Sequence, residues 1–428
     1  GPLKTGWTAT YDQANQLTSY GVSQTARYRF GYDAAAQRTA ETDPRGNTTV
    51  SAWDAAGRLV SVTEPAVRPD EPLADRRWVH GYDVLGNAVH TTEPGGVQVE
   101  RSFDRDGNML SARGQGGHSS TAEATFTYTP AGDLATVSHP DGVQHFTVNG
   151  FGEMTGSHGP AGDATFAYDA DGNLIEQHDQ SGVTTATWSK AGRLKSVATD
   201  AGVDQQLHYD ELGRTLRIEF GGDVVQEFGY DDADNLVSDV TTAAGMVTQE
   251  QTATFDAAGR MTSQTTAGPD VAGAGTVRYA YDAEARVAFW TGPEGDEHRY
   301  SYDAAGNATS LDGVPATYDA RNRLTSMGTD VAYEWNPNGT QAAVSRPESG
   351  TIDRRWDGLG RLIGDGVATY TYDGLGRVAA AGAQQFSYAG DLPEPAKIGD
   401  TPLTRSPGGT EPLASGADRL SSDLTGHI

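Results

Sequence analysis

"YDAAGNA" at residues 302–308 and "YDGLGRV" at 372–378 are two spellings of one seven-residue phrase. A third copy, "WDAAGRL" at 53–59, shows what the phrase encodes. Asp54 can accept hydrogen bonds from a turn backbone, Ala55 and Ala56 suit the central positions of a type I turn, and Gly57 supplies the positive dihedral of a following bulge. The reading is a three-residue hairpin loop that sets Asp54 opposite Arg58 and Trp53 opposite Leu59. By the same logic Tyr302 faces Ala308 and Tyr372 faces Val378.

An aromatic followed by Asp or a near equivalent recurs at Tyr11, Tyr32, Trp53, Tyr82, Phe103, Tyr128, Tyr168, Tyr209, Tyr230, Phe255, Tyr281, Tyr302, Tyr318, Trp356 and Tyr372. Weaker copies at Val148, Trp188, Trp335 and Tyr388 bring the total to about nineteen units. The positions expected to carry the repeat structurally are Tyr32, Asp33, Trp53, Asp54, Gly57, Tyr82, Asp83, Gly86, Tyr168, Asp169, Gly172, Tyr302, Asp303, Gly306, Tyr372, Asp373 and Gly376. Breaks in the pattern are read at Asn149, Ser189, Glu334 and Ala389, where Asp is expected, and at Ala36 and Ala285, where the turn Gly is replaced. They read as tolerated drift.

About ten residues after each such loop comes a second reversal that reads as a different kind of turn, as in "DPRG" from 43, "EPGG" from 93, "HPDG" from 139 and "DQSG" from 179. Thr, Val, Tyr and Ser fill the stretches between, and sustained helical periodicity is absent. Two strands per unit give on the order of 38 strands. A sheet that long must twist and curl. The expected fold is therefore all-β: one long antiparallel β-hairpin meander whose rows stack in a curved wall. Residues 1–10 are read as a leading strand after a Gly1-Pro2 remnant of a cleaved tag, 11–390 as one continuous β-strip, and 391–428 as the truncated start of a terminal repeat block.

Composition narrows the functions. Asp and Glu number 58 against 31 Lys and Arg, and the net charge of −27 repels a phosphate backbone, so nucleic acid is not an expected partner. Lys occurs only at 4, 190, 195 and 397; Arg, which pairs in plane with carboxylates, supplies most of the positive charge. There is no Cys, and no apolar run is long enough to span a membrane.

No catalytic, cofactor or metal site is expected. "DRDGN" (104–108), "DADGN" (169–173) and "DDADN" (231–235) imitate part of a calcium loop but lack its remaining ligands and flanking helices. Ser157 beside His158 is no nucleophile elbow, and the other His are dispersed. Aromatics on a long sheet could stack on sugar rings, which leaves open a carbohydrate- or cell-surface-binding module and, more remotely, a polysaccharide-acting enzyme; packing between hairpins is the plainer use of one aromatic per unit.

The phrases "YDAAGN", "YDGLGR", "WDAAGR", "FDAAGR" and "YDADGN" resemble the YD repeats of Rhs proteins, the family of bacterial polymorphic toxins, Tc toxin C components and teneurins. The resemblance implies a strip that spirals into a hollow, here partial, shell. It also implies a secreted or cell-surface bacterial protein, the wall's own C-terminal toxin or cargo domain as partner, and a structural role without catalysis. The family's "DPxGL" cleavage motif does not occur after Tyr388. Unpaired strands near Trp7 and Leu420 suggest edge-to-edge self-association.

Overall fold

The structure, a computed structural model, describes residues 8–21, 27–269, 271, 273–406, 412–415 and 418–419. The ends expected to pair, Trp7 and Leu420, and the Gly1-Pro2 remnant lie outside these residues. The described residues form forty-two β-strands and one short 3-10 turn, Leu73–Asp75. Within each sheet consecutive strands pair antiparallel: the strands from Thr8–Tyr11 to Gly350–Asp353 make one thirty-three-stranded meander, Arg355–Trp356 and Leu362–Gly364 a separate pair, and those from Tyr370–Tyr372 to Asp418–Arg419 a seven-stranded sheet. The chain divides into two compact units, one of residues 1–125, 280–290 and 297–370, the other of residues 126–279, 291–296 and 371–428.

In the first unit, Thr48–Trp53 pairs with Leu59–Thr63. Val50 lies opposite Thr63, Ala52 opposite Ser61 and Trp53 opposite Leu59, with a register shift at the last step. The shift is the bulge. Asp54 N–H donates to the Arg58 carbonyl at 2.9 Å, Gly57 N–H donates to the Asp54 carbonyl at 3.0 Å, and Gly57 has φ of +80°. In the second unit Gly142–Val148 and Met154–His158 pair the same way, with the shift between Thr147 and Val148. Side chains then alternate across the sheet, so Gly182–Trp188 buries Thr184 and Ala186 and exposes Thr185 and Thr187.

The second set of reversals is not one separate kind. "DPRG" and "EPGG" make the same hydrogen bonds as the Asp54 loop: Gly46 N–H to the Asp43 carbonyl at 3.0 Å and Gly96 N–H to the Glu93 carbonyl at 3.0 Å. "HPDG" and "DQSG" are one residue tighter, because His139 pairs directly with Gly142 and Asp179 with Gly182. Both lengths reverse the chain; they differ in whether a bulge residue is inserted.

Among the described residues of the second unit, buried apolar side chains gather in small clusters such as Val197 with Val203, Leu413 and Ala414, and Ala164 with Ala389 and Ala396. Buried glutamines sit among them, Gln144, Gln177, Gln205, Gln226 and Gln251. At three of them the amide is visibly engaged: Gln144 donates to the Gly162 carbonyl at 2.9 Å and accepts from Ala161 N–H at 3.1 Å, Gln177 donates to Asp179 Oδ2 at 2.5 Å, and Gln226 donates to both Asp239 carboxylate oxygens. Burial of an amide is tolerable on that condition.

Ala36 and Ala285 hold the turn glycine's conformation, with φ of +67° and +65°. A β-carbon is strained there. Ala36→Gly and Ala285→Gly are each expected to stabilise the protein by about 0.5–1 kcal/mol, the relief being partly offset by the freer unfolded chain. A urea midpoint that falls in both variants would contradict the turn assignment.

Candidate functional site

Three kinds of contact join one repeat to the next. The first is inside the loop: Asp54 Oδ1 accepts from the backbone N–H of Ala56 and Arg58, both at 2.9 Å, and Oδ2 accepts from Arg58 Nε at 2.8 Å. Asp33, Asp83, Asp169, Asp303 and Asp373 make the same pair of backbone contacts. Gly86, Gly172, Gly306 and Gly376 all take positive φ, between 81° and 93°.

The second contact is the tip of the aromatic. Tyr82 Oη donates to the Leu59 carbonyl at 2.6 Å, and Tyr32, Tyr168 and Tyr302 donate to the carbonyls of Leu17, Met154 and Val287 at 2.9 Å. Trp53 and Trp188 do the same with Nε1, to Arg38 and Leu174 at 2.9 Å. In every case the acceptor is the residue just after the preceding loop. The rings are accordingly half-buried and tethered, where packing alone would leave them free to slide; Tyr388, at 3% exposure, is the deeply buried one. Tyr372 ends the strand Tyr370–Tyr372.

The third contact is the arginine at the end of the loop. Arg58 lies 4.9 Å from the centre of the Tyr82 ring and donates to the Asp83 carbonyl at 3.1 Å. Arg286 repeats this on Tyr302 and Asp303, and Arg377 on Tyr388 and Gly390. The planar guanidinium serves its own carboxylate, the next ring and the next backbone at once. Exposed pairs of this kind are individually weak. Arg377 and Asp373 are an exception in burial, with side chains 7% and 6% exposed.

Substitutions at the Asp position keep the loop when an oxygen remains. Asn149 Oδ1 accepts from Phe151 and Glu153 N–H, and Ser189 Oγ from Ala191 and Arg193 N–H. The break read at Glu334 is a misplacement: the loop after Trp335 starts at Asn336, whose N–H donates to the Thr340 carbonyl at 2.8 Å, while Glu334 lies within Val331–Trp335. Ala389 offers no such oxygen. There Gly390 N–H turns instead to Ser157 Oγ, at 3.2 Å.

That last contact belongs to a seam the repeat pattern does not announce. Within the first unit, Arg45 donates to the carbonyl and amide oxygens of Asp319 and Asn322, both at 2.8 Å. Arg321 enters the 64–76 segment, with Nη2 on Glu71 Oε1 at 2.8 Å and Nε on the Pro65 carbonyl at 3.0 Å; both side chains of that pair are 5% exposed. Asn338 donates to Glu93 at 2.9 Å. Gly114 and Gly358 pack backbone on backbone, so closely that a β-carbon on either would overlap the other. In the second unit the loop edge at 373–390 meets 137–162: Tyr388 N–H donates to the Ala161 carbonyl at 2.7 Å, and Gly374 lies against Val137 and His139. Loops of the aromatic-Asp edge therefore seat on reversals of the opposite edge.

The calcium-like loops spend their carboxylates internally. Asp104, Asp169 and Asp231 each accept two backbone N–H groups or the Asn amide four residues on, and no cluster of three metal-ligating side chains occurs among the described residues. Ser157 and His158 point to opposite faces, Ser157 buried toward Gly390 and His158 exposed on Asp163 at 2.8 Å. They form no dyad. No helix among the described residues is long and apolar enough to cross a membrane.

Comparison with known proteins agrees with this architecture. The family described as Teneurin YD-shell matches residues 81–236 and 220–389, and that described as RHS Repeat matches 32–66. A double-stranded DNA deaminase toxin A of Burkholderia cenocepacia is 25% identical over an alignment that covers 75% of this chain and 28% of that protein. Among solved structures, a TcdB2-TccC3 complex superposes with a TM-score of 0.68 at 17% identity, covering 96% of this chain and 25% of the other. A Tc holotoxin pore of Photorhabdus luminescens superposes with a TM-score of 0.67, also at 17% identity, over 96% of this chain and 24% of that one. The chain thus spans about a quarter of the length of these relatives.

The Asn amides of the loops, with backbone N–H groups, hold the carboxyls of Asp83, Asp104, Asp169 and Asp231 below the ordinary carboxylate range, and Arg260 does the same for Asp256. A carboxyl depressed in the fold contributes stability that is complete above its unfolded pKa, about 3.9, and is lost as pH falls through the lower folded value. Stability is therefore expected to hold from neutral pH to about pH 5 and to drop below about pH 4; an unfolding midpoint independent of pH down to about 3 would oppose it. At the seam, Arg321→Ala leaves Glu71 buried without its cation, and an unfolding free energy lower by about 3–5 kcal/mol is expected. A loss below about 1 kcal/mol would show that the contact does not bind the rows.

Proposed function

Because the chain belongs to the teneurin YD-shell family, we propose that it is a non-catalytic section of the wall of a secreted or cell-surface bacterial protein, a wall that encloses or displays that protein's own C-terminal toxin or cargo domain. The observation that supports this best is where the reactive groups go. Loop carboxylates, aromatic tips and arginines are taken up in joining one repeat to the next, and seam residues such as Arg321 in joining one row to another.

The positions named from the repeat, Tyr32 to Gly376, are on this reading wall-building residues. One relative is called a double-stranded DNA deaminase toxin and others are Tc toxin assemblies, and in each the region matched here is a minor share of the protein, which supports a toxin as the cargo. A carbohydrate- or cell-surface-binding module is the competing use of the same sheet.

Limited proteolysis of the longer protein tests the wall role. The cargo domain is expected to survive protease until acid or Arg321→Ala loosens the wall, and to be cut from then on. A cargo digested at the same rate with and without those changes would remove the enclosing role, and binding of the intact wall to a glycan array would favour the module.

A further inference from the structure

Arginine at the last loop position covers the next repeat's ring again and again: Arg58, Arg193, Arg214, Arg286, Arg323 and Arg377 lie 4.2 to 5.9 Å from the ring centres of Tyr82, Tyr209, Tyr230, Tyr302, Trp335 and Tyr388. The loop at 149–153 inverts the chemistry. Asn149 stands in place of Asp and Glu153 in place of Arg. Glu153 still extends along the arginine's route: one carboxylate oxygen accepts from Asn149 Nδ2 at 2.5 Å, and the other reaches Gly172 of the next loop, as the Arg193 guanidinium reaches Gly213.

Beside Glu153 and Tyr168 lies a groove of about 580 Å³, lined also by Phe151, Phe166 and Asp171. That is within the usual size of a ligand site. Phe151 stands at the groove 90% exposed. Burial, and then the charges of Glu153 and Asp391, push the Tyr168 hydroxyl above its ordinary pKa, so the charges that face it are negative.

We propose that this groove binds an arginine side chain of a polypeptide partner, its guanidinium held by the Glu153 carboxylate against the Tyr168 ring, as Arg58 lies on Tyr82 and Arg286 on Tyr302. Arginine is the favoured side chain because a planar cation can meet a carboxylate edge-on and a ring face-on together. Lysine offers a point charge only. Phe151 and Phe166 would flank the aliphatic stem.

Calorimetric titration with a short Arg-Gly-Arg peptide, and with its lysine and citrulline counterparts, tests the site on the intact chain. The arginine peptide is expected to bind tighter than the lysine peptide, with no binding of citrulline, and Glu153→Gln to weaken binding about tenfold or more. The double variant Asn149→Asp with Glu153→Arg restores the repeat's own pair; it should abolish binding while raising the melting temperature. Asp106→Asn, in the loop at 104–108, should change neither. Equal binding of the arginine and citrulline peptides, retention of binding in the double variant, an equal loss in Asp106→Asn, or no binding at all would overturn the proposal. The last two would leave only the general attraction of a chain of charge −27, or nothing.

Discussion

The carbonyl that follows each loop is the group on which the rest of the sheet depends. A hairpin bulge leaves that carbonyl turned away from the ladder, and an uncovered carbonyl in a half-buried strip is costly. The next repeat's Tyr or Trp donates to it, which fixes the distance between successive hairpins and explains why the repeated aromatic is mostly one with a polar tip. Phe103 and Phe255 cannot make this bond and mark the weaker steps of the ladder. Cohesion is thus distributed, with no single centre from which it radiates.

This arrangement explains the composition. A strip held by nearest-neighbour contacts needs no thick apolar core, and among the described residues of the second unit the clusters around Val197 and Ala164 are small. Glutamine can replace an aliphatic side chain on the inner positions as long as its amide finds backbone or carboxylate partners, as at Gln144 and Gln226. On the opposite positions hydroxyls pair across strands, Thr127 with Thr136 and Thr187 with Ser196, both at 2.6 Å. The chain can therefore be acidic and poor in apolar residues without being unfolded.

The sequence made the hairpin legible because its determinants are local. Asp54, Gly57 and Arg58 act on one another within five residues, and their spacing is visible in a line of text. The seam was illegible for the opposite reason. Arg45 and Arg321 occupy loop positions where any residue is allowed by turn chemistry, and their partners are hundreds of residues distant. Arg321 in "YDARNR" did carry one faint signal, a large cation where neighbouring loops have Ala or Leu. The loop after Trp335 departs from the Asp pattern because its turn uses Asn336, while the acidic Glu334 belongs to the strand before it. The groove beside Tyr168 was half-visible: the substitution of Asn149 could be read as drift, and only its pairing with Glu153 in space shows that two departures compensate each other.

Sequence separation across the seams falls steadily, from 274 at Arg45 and Asp319 through 250 at Arg321 and Glu71 to 238 at His118 and Trp356 in the first unit, and stands at 233 for Ser157 and Gly390 in the second. The ladder alone would accept a duplicated hairpin anywhere, since each unit answers only to its neighbour. The seam does not: an added hairpin between two partners would slide every later loop past the reversal it is shaped to meet, and Gly358 would no longer fall on Gly114. Growth by duplication is therefore free only outside the stretch that a seam already counts, so that a protein written in interchangeable words has a nearly fixed number of them per line.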